Sequence, residues 1–298
     1  MEIFDIYLAE AIVNGLLFGG ILALLSLGLN LVFGVIDVVW ICYAELVMFG
    51  MYTIYYLYMS YSFSIIFSAI AAIIVVSALG FLVHILVISP IITSTPINQL
   101  LATGGLMFFL QSLAVVMFGI DFRNIGIKLP ILEINEMFFS FARLISFIIA
   151  LIGMGVLYLF LNHTFMGKAI RAIAQDREIM VLMGINIKKV YIITSIIGGG
   201  LAGLAAALLI LQYDVHPYIG LTFGPITFIV CAFGGLGNLL GGFIAAFVLS
   251  EIISIGGLYG EFEWGYVYAF AIFIVIILTI TQIFSLKKQK ILVNPGQM

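Results

Sequence analysis

The chain has 298 residues, 64% hydrophobic and 8% charged, with a formal net charge of −3. An ordinary soluble domain carries charge on roughly a quarter of its residues, so a water-facing globule is excluded. Nucleic-acid binding would need a basic face, and the few cations leave none outside short connections.

Hydrocarbon offers no partners to bare backbone, so a spanning structure is either helical or a closed barrel. Runs such as 144–161 and 270–284 are continuously apolar, near the roughly 20 residues of a helical crossing, and lack the in-out alternation of barrel strands. The expected fold is all-α: a single polytopic helical bundle over 1–298, with eight to ten spans and some broken or re-entrant segments.

The amino terminus has no basic residue ahead of its first apolar run and carries Glu2, Asp5 and Glu10, unlike a cleaved secretory signal. Apolar segments follow at 8–34, 38–59, 64–89, 97–119, 138–161, 190–212, 222–236, 238–257 and 265–285. The pieces at 97–119 and 222–236 are the expected broken or re-entrant ones. Gly234-Gly235-Leu236-Gly237-Asn238 predicts a tight hairpin between the last two of the 222–257 segments.

Eight of the 11 Lys and Arg fall in two stretches: Lys168, Arg171, Arg177, Lys188 and Lys189, then Lys287, Lys288 and Lys290. Basic residues near span ends stay inside, so both stretches are expected in the cytoplasm of a cell-membrane protein, with the amino terminus outside. Asp121 to Glu136, Tyr213 to Gly220 and Gly260 to Gly265 then form outer loops, with Tyr213, Tyr218, Tyr259, Trp264 and Tyr266 at the membrane boundary.

The 162–189 loop has a helical pattern of its own, with Ile170, Ile173, Ala174, Val181, Leu182 and Ile185 opposite Lys168, Arg171, Gln175 and Glu178. Read as one short helix, it places Arg171 and Glu178 on nearly the same face, with Gly184 as a left-handed cap. Its run Gly167-Lys168-Ala169-x-Arg171-Ala172-x-Ala174-x-Asp176, then Glu178 and Gly184-Ile185, resembles the coupling loop of the permeases of ATP-binding-cassette importers for branched-chain amino acids.

The resemblance covers most of the chain. It includes Gly15 to Gly34, then Glu45, Met48, Gly50 and Tyr52, then Thr103, Gly105 and Gln111, then Leu201 to Ala205, and Gly234 to Gly237 with Gly241. The chain departs from the family pattern at Trp40, at Tyr43-Ala44, in the lack of cations over 89–96, and at Ala245 and Ala246.

The resemblance implies a transport subunit rather than an enzyme, binding no cofactor and no metal, with ATP used by partners. Those partners would be two cytoplasmic ATPase subunits, a second permease subunit, an extracellular solute-binding protein and membrane lipid. The implied coupling residues are Gly167, Lys168, Arg171, Ala172, Asp176, Glu178 and Gly184. Candidates for the pathway or for helix packing are Glu45, Tyr43, Gln111, Gly234, Gly235 and Gly237.

Urea or short amides, carried by the same importer class, are alternative solutes. A self-contained secondary transporter or channel is the alternative mechanism, for which the intramembrane acids Glu45 and Glu251 would be the proton carriers. No phosphate-cradling glycine loop precedes a Lys-Ser/Thr pair, so the chain is not expected to hydrolyse ATP itself. His84, His163 and His216 are scattered and read as loop or boundary residues, and Cys42 and Cys231 as packed small side chains.

Overall fold

The structure is a computed structural model that describes residues 3–127, 130–134, 137–258 and 262–293. Glu2, Glu136, Tyr259 and Gly260 lie outside the described residues.

All nine apolar segments correspond to helices. They are α1 (Ile3–Ile36), α2 (Tyr43–Met59), α3 (Ile65–Val83), α5 (Pro96–Phe118), α6 (Phe141–His163), α9 (Ile187–Leu209), α10 (Ile219–Gly234), α11 (Leu239–Leu258) and α12 (Phe262–Val293). Among the described residues three shorter α-helices join them: α4 (Ser89–Ile91), which follows α3 after one π-helical turn, and α7 (Phe165–Gln175) and α8 (Arg177–Leu182) in the loop after α6. Among the described residues six helices are long and apolar enough to cross a bilayer. α2 and α10, of 17 and 16 residues, fall short of the roughly 20 a full crossing needs.

The core is built around α1, which is apolar on all sides, with Ile21, Leu22, Leu24 and Leu25 fully buried. α6, α9, α10 and α11 pack around it, and α3 lies against α9 through small residues. A Cβ on Gly199 would sit 2.6 Å from the carbonyl of Val76, and one on Gly80 2.6 Å from that of Ser195. Lipid gives no hydrophobic force between helices, so such backbone approach is what holds this pair together.

Two features differ from the sequence expectation. The suspect segment 97–119 is an unbroken helix of 23 residues. The break falls instead in the second segment, where 37–42 is not helical and α2 starts only at Tyr43. Asp37 takes a left-handed φ of 61°, uncommon for a residue with a Cβ, and turns the chain out of α1. The loop after α5 also carries a small antiparallel hairpin, β1 (Ile131–Ile134) with β2 (Met137–Ser140), that apolar content alone did not announce.

Contacts sort the connections onto two ends. At one, Arg123 and Val215 exchange backbone hydrogen bonds of 3.0 and 2.9 Å, joining the loop after α5 to the loop after α9. The Arg123 guanidinium lies between the rings of Tyr55 and Tyr56 and donates to the Tyr56 hydroxyl and the Phe118 carbonyl. His216 packs against Phe122 there with tilted rings, and burial pushes its imidazole below the usual range, with the Asp214 carboxylate opposing. At the other end lie the last turn of α1, the α7–α8 segment and the hairpin between α10 and α11.

Candidate functional site

α7 begins where the Thr164 hydroxyl accepts from the N–H of Gly167 at 2.9 Å, a standard N-cap. Gly167 is packed so closely on Leu161 and the Phe160 carbonyl that a Cβ would lie 2.2 Å from the latter, so glycine lets α7 fold back on α6. Ala169, Ile170 and Ile173 are buried, while Lys168, Arg171 and Asp176 face outward and Ala172 is half-buried.

The single helix expected over 167–184 is two helices. Asp176 adopts extended backbone, and its carboxylate accepts from the N–H of Glu178 and of Ile179 at 2.9 and 3.0 Å, starting α8 afresh. Arg171 and Glu178 therefore sit on different helices, and the shared face expected from their spacing does not exist. Nor do the apolar residues form one buried face: Ile170 and Ile173 of α7 are buried, but Ala174 near its end and Val181 and Leu182 of α8 are exposed, Leu182 at 86%.

α8 ends as expected. Ile185 donates to the Met180 carbonyl at 3.2 Å and Gly184 to that of Val181 at 3.0 Å, a Schellman pair, with Gly184 at φ 78°. The segment thus presents Ile179, Val181, Leu182 and Met183 as an exposed apolar ridge. Behind the ridge, Arg177 lies 5.6 Å from the Tyr191 ring in α9 and donates to the Ile36 carbonyl at 3.4 Å. Tyr191 in turn lies beside His84, which bonds Ser195 at 2.9 Å. His84 is therefore no loop residue: it is buried in a single π-helical turn, His84–Ile88, at the end of α3.

A cavity of about 400 Å³ opens between α1, the non-helical 37–42 segment, α5 and α10. Its walls are apolar, with Leu29, Trp40, Leu100, Met107 and Phe228, together with Tyr43, Gly220, Gly224 and Pro225. Pro225 carries no N–H, so the carbonyl of Leu221 lacks its usual helical donor, and both residues line this cavity. The spacing of Gly220, Gly224 and Pro225 within an apolar run was a signal for this wall that sequence reasoning passed over.

Glu45 and Gln111 are brought together behind Gly220, while Tyr43 lines the cavity itself. The Glu45 carboxylate is 1% exposed and accepts from Gln111 at 2.8 Å, and a Cβ on Gly220 would lie 2.3 Å from it, so this group binds α2, α5 and α10 to one another. Its second oxygen has no hydrogen-bond partner among the described residues. The Tyr43 hydroxyl donates to the Gly198 carbonyl at 3.2 Å.

Gly234, Gly235 and Gly237 lie elsewhere, in the turn between α10 and α11. Gly235 and Gly237 take φ of 90° and 83°, Gly237 donates to Asn30 at 3.1 Å, and Gly234 touches the backbone of Gly241 and Gly242. They form the hairpin expected of them, away from the cavity. Glu251 faces Gly15 across the α1–α11 contact, whereas Glu45 faces Gly220 of α10.

Comparison with known proteins places this architecture. The chain is 28% identical over 285 residues to the "High-affinity branched-chain amino acid transport system permease protein BraD" of Pseudomonas aeruginosa, covering 90% of this chain and 92% of that protein. It is 28% identical over 292 residues to LivH of Salmonella typhimurium, a permease protein of the same description, with 92% and 94% covered. A solved structure, PsaBC from Streptococcus pneumoniae in complex with Fab, matches with a TM-score of 0.47 at 14% identity, covering 92% of this chain and 91% of that one. The family described as branched-chain amino acid transport system, permease component, matches residues 11–277, and the chain belongs to that family.

Proposed function

We propose that this chain is the membrane-spanning subunit of an ATP-driven importer of branched-chain amino acids. It would act with a second permease, two cytoplasmic ATPase subunits and an extracellular binding protein, itself catalysing no reaction and binding no cofactor. The observation that carries this reading is the α7–α8 segment. Its exposed apolar ridge is suited to a protein groove, and Arg177 beside that ridge touches the end of α1, next to the 37–42 segment that walls the cavity.

Movement of α8 by an ATPase would reach Ile36 first and then Asp37, the left-handed turn from which 37–42 departs. The apolar cavity suits an aliphatic side chain, which urea lacks, while the ammonium and carboxylate of an amino acid would need polar partners outside this wall. The amino terminus and the 121–127 loop would face outside, and α7–α8 the cytoplasm.

Reconstitution of the complex into proteoliposomes tests the proposal. ATP-dependent accumulation of leucine, isoleucine or valine, blocked by excess of any of the three and not by urea, is the expected result. Concentrative uptake by this chain without any ATPase would replace the proposal with the secondary-transporter reading.

A further inference from the structure

A second groove, of about 430 Å³, runs between α6 and α11 on the far side of α1 from the apolar cavity. Leu27 lines the groove and Leu29 the cavity. Two residues on a helix are about 200° apart, so the two spaces lie on opposite faces of α1. The groove is therefore no part of the pathway proposed above.

Its walls are Met154, Leu157, Leu161, Phe243 and the open face of Gly155, on helices long and apolar enough to span the bilayer. At the loop end of α6 the lining turns polar, with Asn162 and Arg171. Arg171 also borders the smaller adjoining cavity that reaches Gln175 and Asn238. None of the residues lining either space is acidic, and no acceptor among the described residues bonds the Arg171 guanidinium.

We infer that this groove binds an anionic phospholipid, its acyl chain along α6 and α11 and its phosphate on Arg171 and Asn162. A membrane-facing apolar trough selects a chain. An uncompensated guanidinium at its mouth selects a phosphate, for which arginine offers a planar fork of donors. This assigns Arg171 to lipid rather than to the ATPase contact that its place in the loop implied. The inference stands apart from the transport reading, since binding is measured directly.

The test is native mass spectrometry of the detergent-purified permease complex, supplied with phosphatidylglycerol or phosphatidylcholine. The wild type should retain phosphatidylglycerol in preference. Arg171→Gln should weaken retention by about ten-fold, the scale of one charge-assisted hydrogen bond.

Gly155→Trp fills the groove without touching Arg171, since a Cβ there meets nothing within 4 Å, and should abolish retention with the complex intact. Lys168→Gln removes a charge from the same helix outside the groove and should leave retention unchanged. Equal retention of the two lipids, undiminished retention in Gly155→Trp, or an equal loss in Lys168→Gln and Arg171→Gln would each overturn the site. If Arg171→Gln does not assemble, the Gly155→Trp result decides alone.

Discussion

The guanidinium of Arg177 rests over the ring of Tyr191 at 5.6 Å, tying α8 to α9 as well as to the end of α1. Tyr191 is buried and Arg177 is exposed, so this cation over a ring contributes about 1–2 kcal/mol, too little to decide folding. Arg177→Ala is therefore expected to insert and assemble normally while solute-stimulated ATP hydrolysis and uptake lose their coupling. Glu178→Lys, beside it on the ridge, should also abolish uptake with the protein still in the membrane. Uptake and stimulated hydrolysis at wild-type levels in both variants would show that α8 is a solvated surface helix.

α8 is short and depends on its two ends. Asp176→Ala removes two capping bonds and should cost about 1 kcal/mol locally, whereas Asp176→Asn should retain most of the cap. At the other end Gly184→Asn should be tolerated better than Gly184→Val, because a β-branched residue resists φ 78°. Limited proteolysis of the 162–189 loop reads both series: faster cleavage is expected in Asp176→Ala and Gly184→Val.

Gly220 and Gly224 line the same cavity and should respond differently to alanine. A Cβ at 220 would meet the Glu45 carboxylate at 2.3 Å, while one at 224 would meet Ala44 at an ordinary 3.4 Å. Overpacking of a filled site costs about 1–3 kcal/mol, so Gly220→Ala should lower the thermal midpoint of the detergent-solubilised protein and Gly224→Ala should not. Equal midpoints would mean that α10 shifts freely.

The Glu45 and Gln111 pair tests charge against shape. Glutamine at 45 still presents an oxygen to Gln111 in the same volume, so Glu45→Gln should keep both fold and uptake. Glu45→Leu strands the buried Gln111 amide at a cost of about 1–3 kcal/mol and should lower the thermal midpoint. Loss of uptake in a well-folded Glu45→Gln would instead establish an ionised carboxylate as part of the transport cycle.

Sidedness is open to cysteine labelling, since Cys42 and Cys231 are both buried. With an impermeant reagent on whole cells, Phe122→Cys should label and Gln175→Cys should label only after the membrane is opened. External labelling at 175 would invert the topology.

Much of this architecture was legible because hydropathy reports burial in lipid directly, and α1, α6 and α9 need nothing further. The break at 37–42 was hidden because Val38, Val39, Trp40 and Ile41 are as apolar as a helix would be, and Asp37 alone marks the turn. Asp176 was a visible N-cap type read as part of one longer helix. The Arg171 and Glu178 spacing therefore misled: the 3.6-residue period holds only while one helix continues. The Glu45, Gln111 and Gly220 cluster joins residues far apart in the chain, and no local pattern announces which helix faces meet.

The chain between Asp37 and Cys42 has a consequence for hydration. It starts at the loop end of α1, and Tyr43, where it ends, reaches the carbonyl of Gly198, about 16 Å along α9 from Ile187 by helical rise, so the stretch runs from that end into the bundle. Irregular backbone inside a membrane persists only where protein or water satisfies its peptide groups. Val39, Trp40 and Ile41 border the cavity. Part of this backbone is already satisfied by protein, Tyr43 donating to the Trp40 carbonyl and Glu45 to that of Cys42. A solute entering the cavity therefore leaves water for a wall that is almost wholly apolar, and its polar groups must find partners elsewhere along the path.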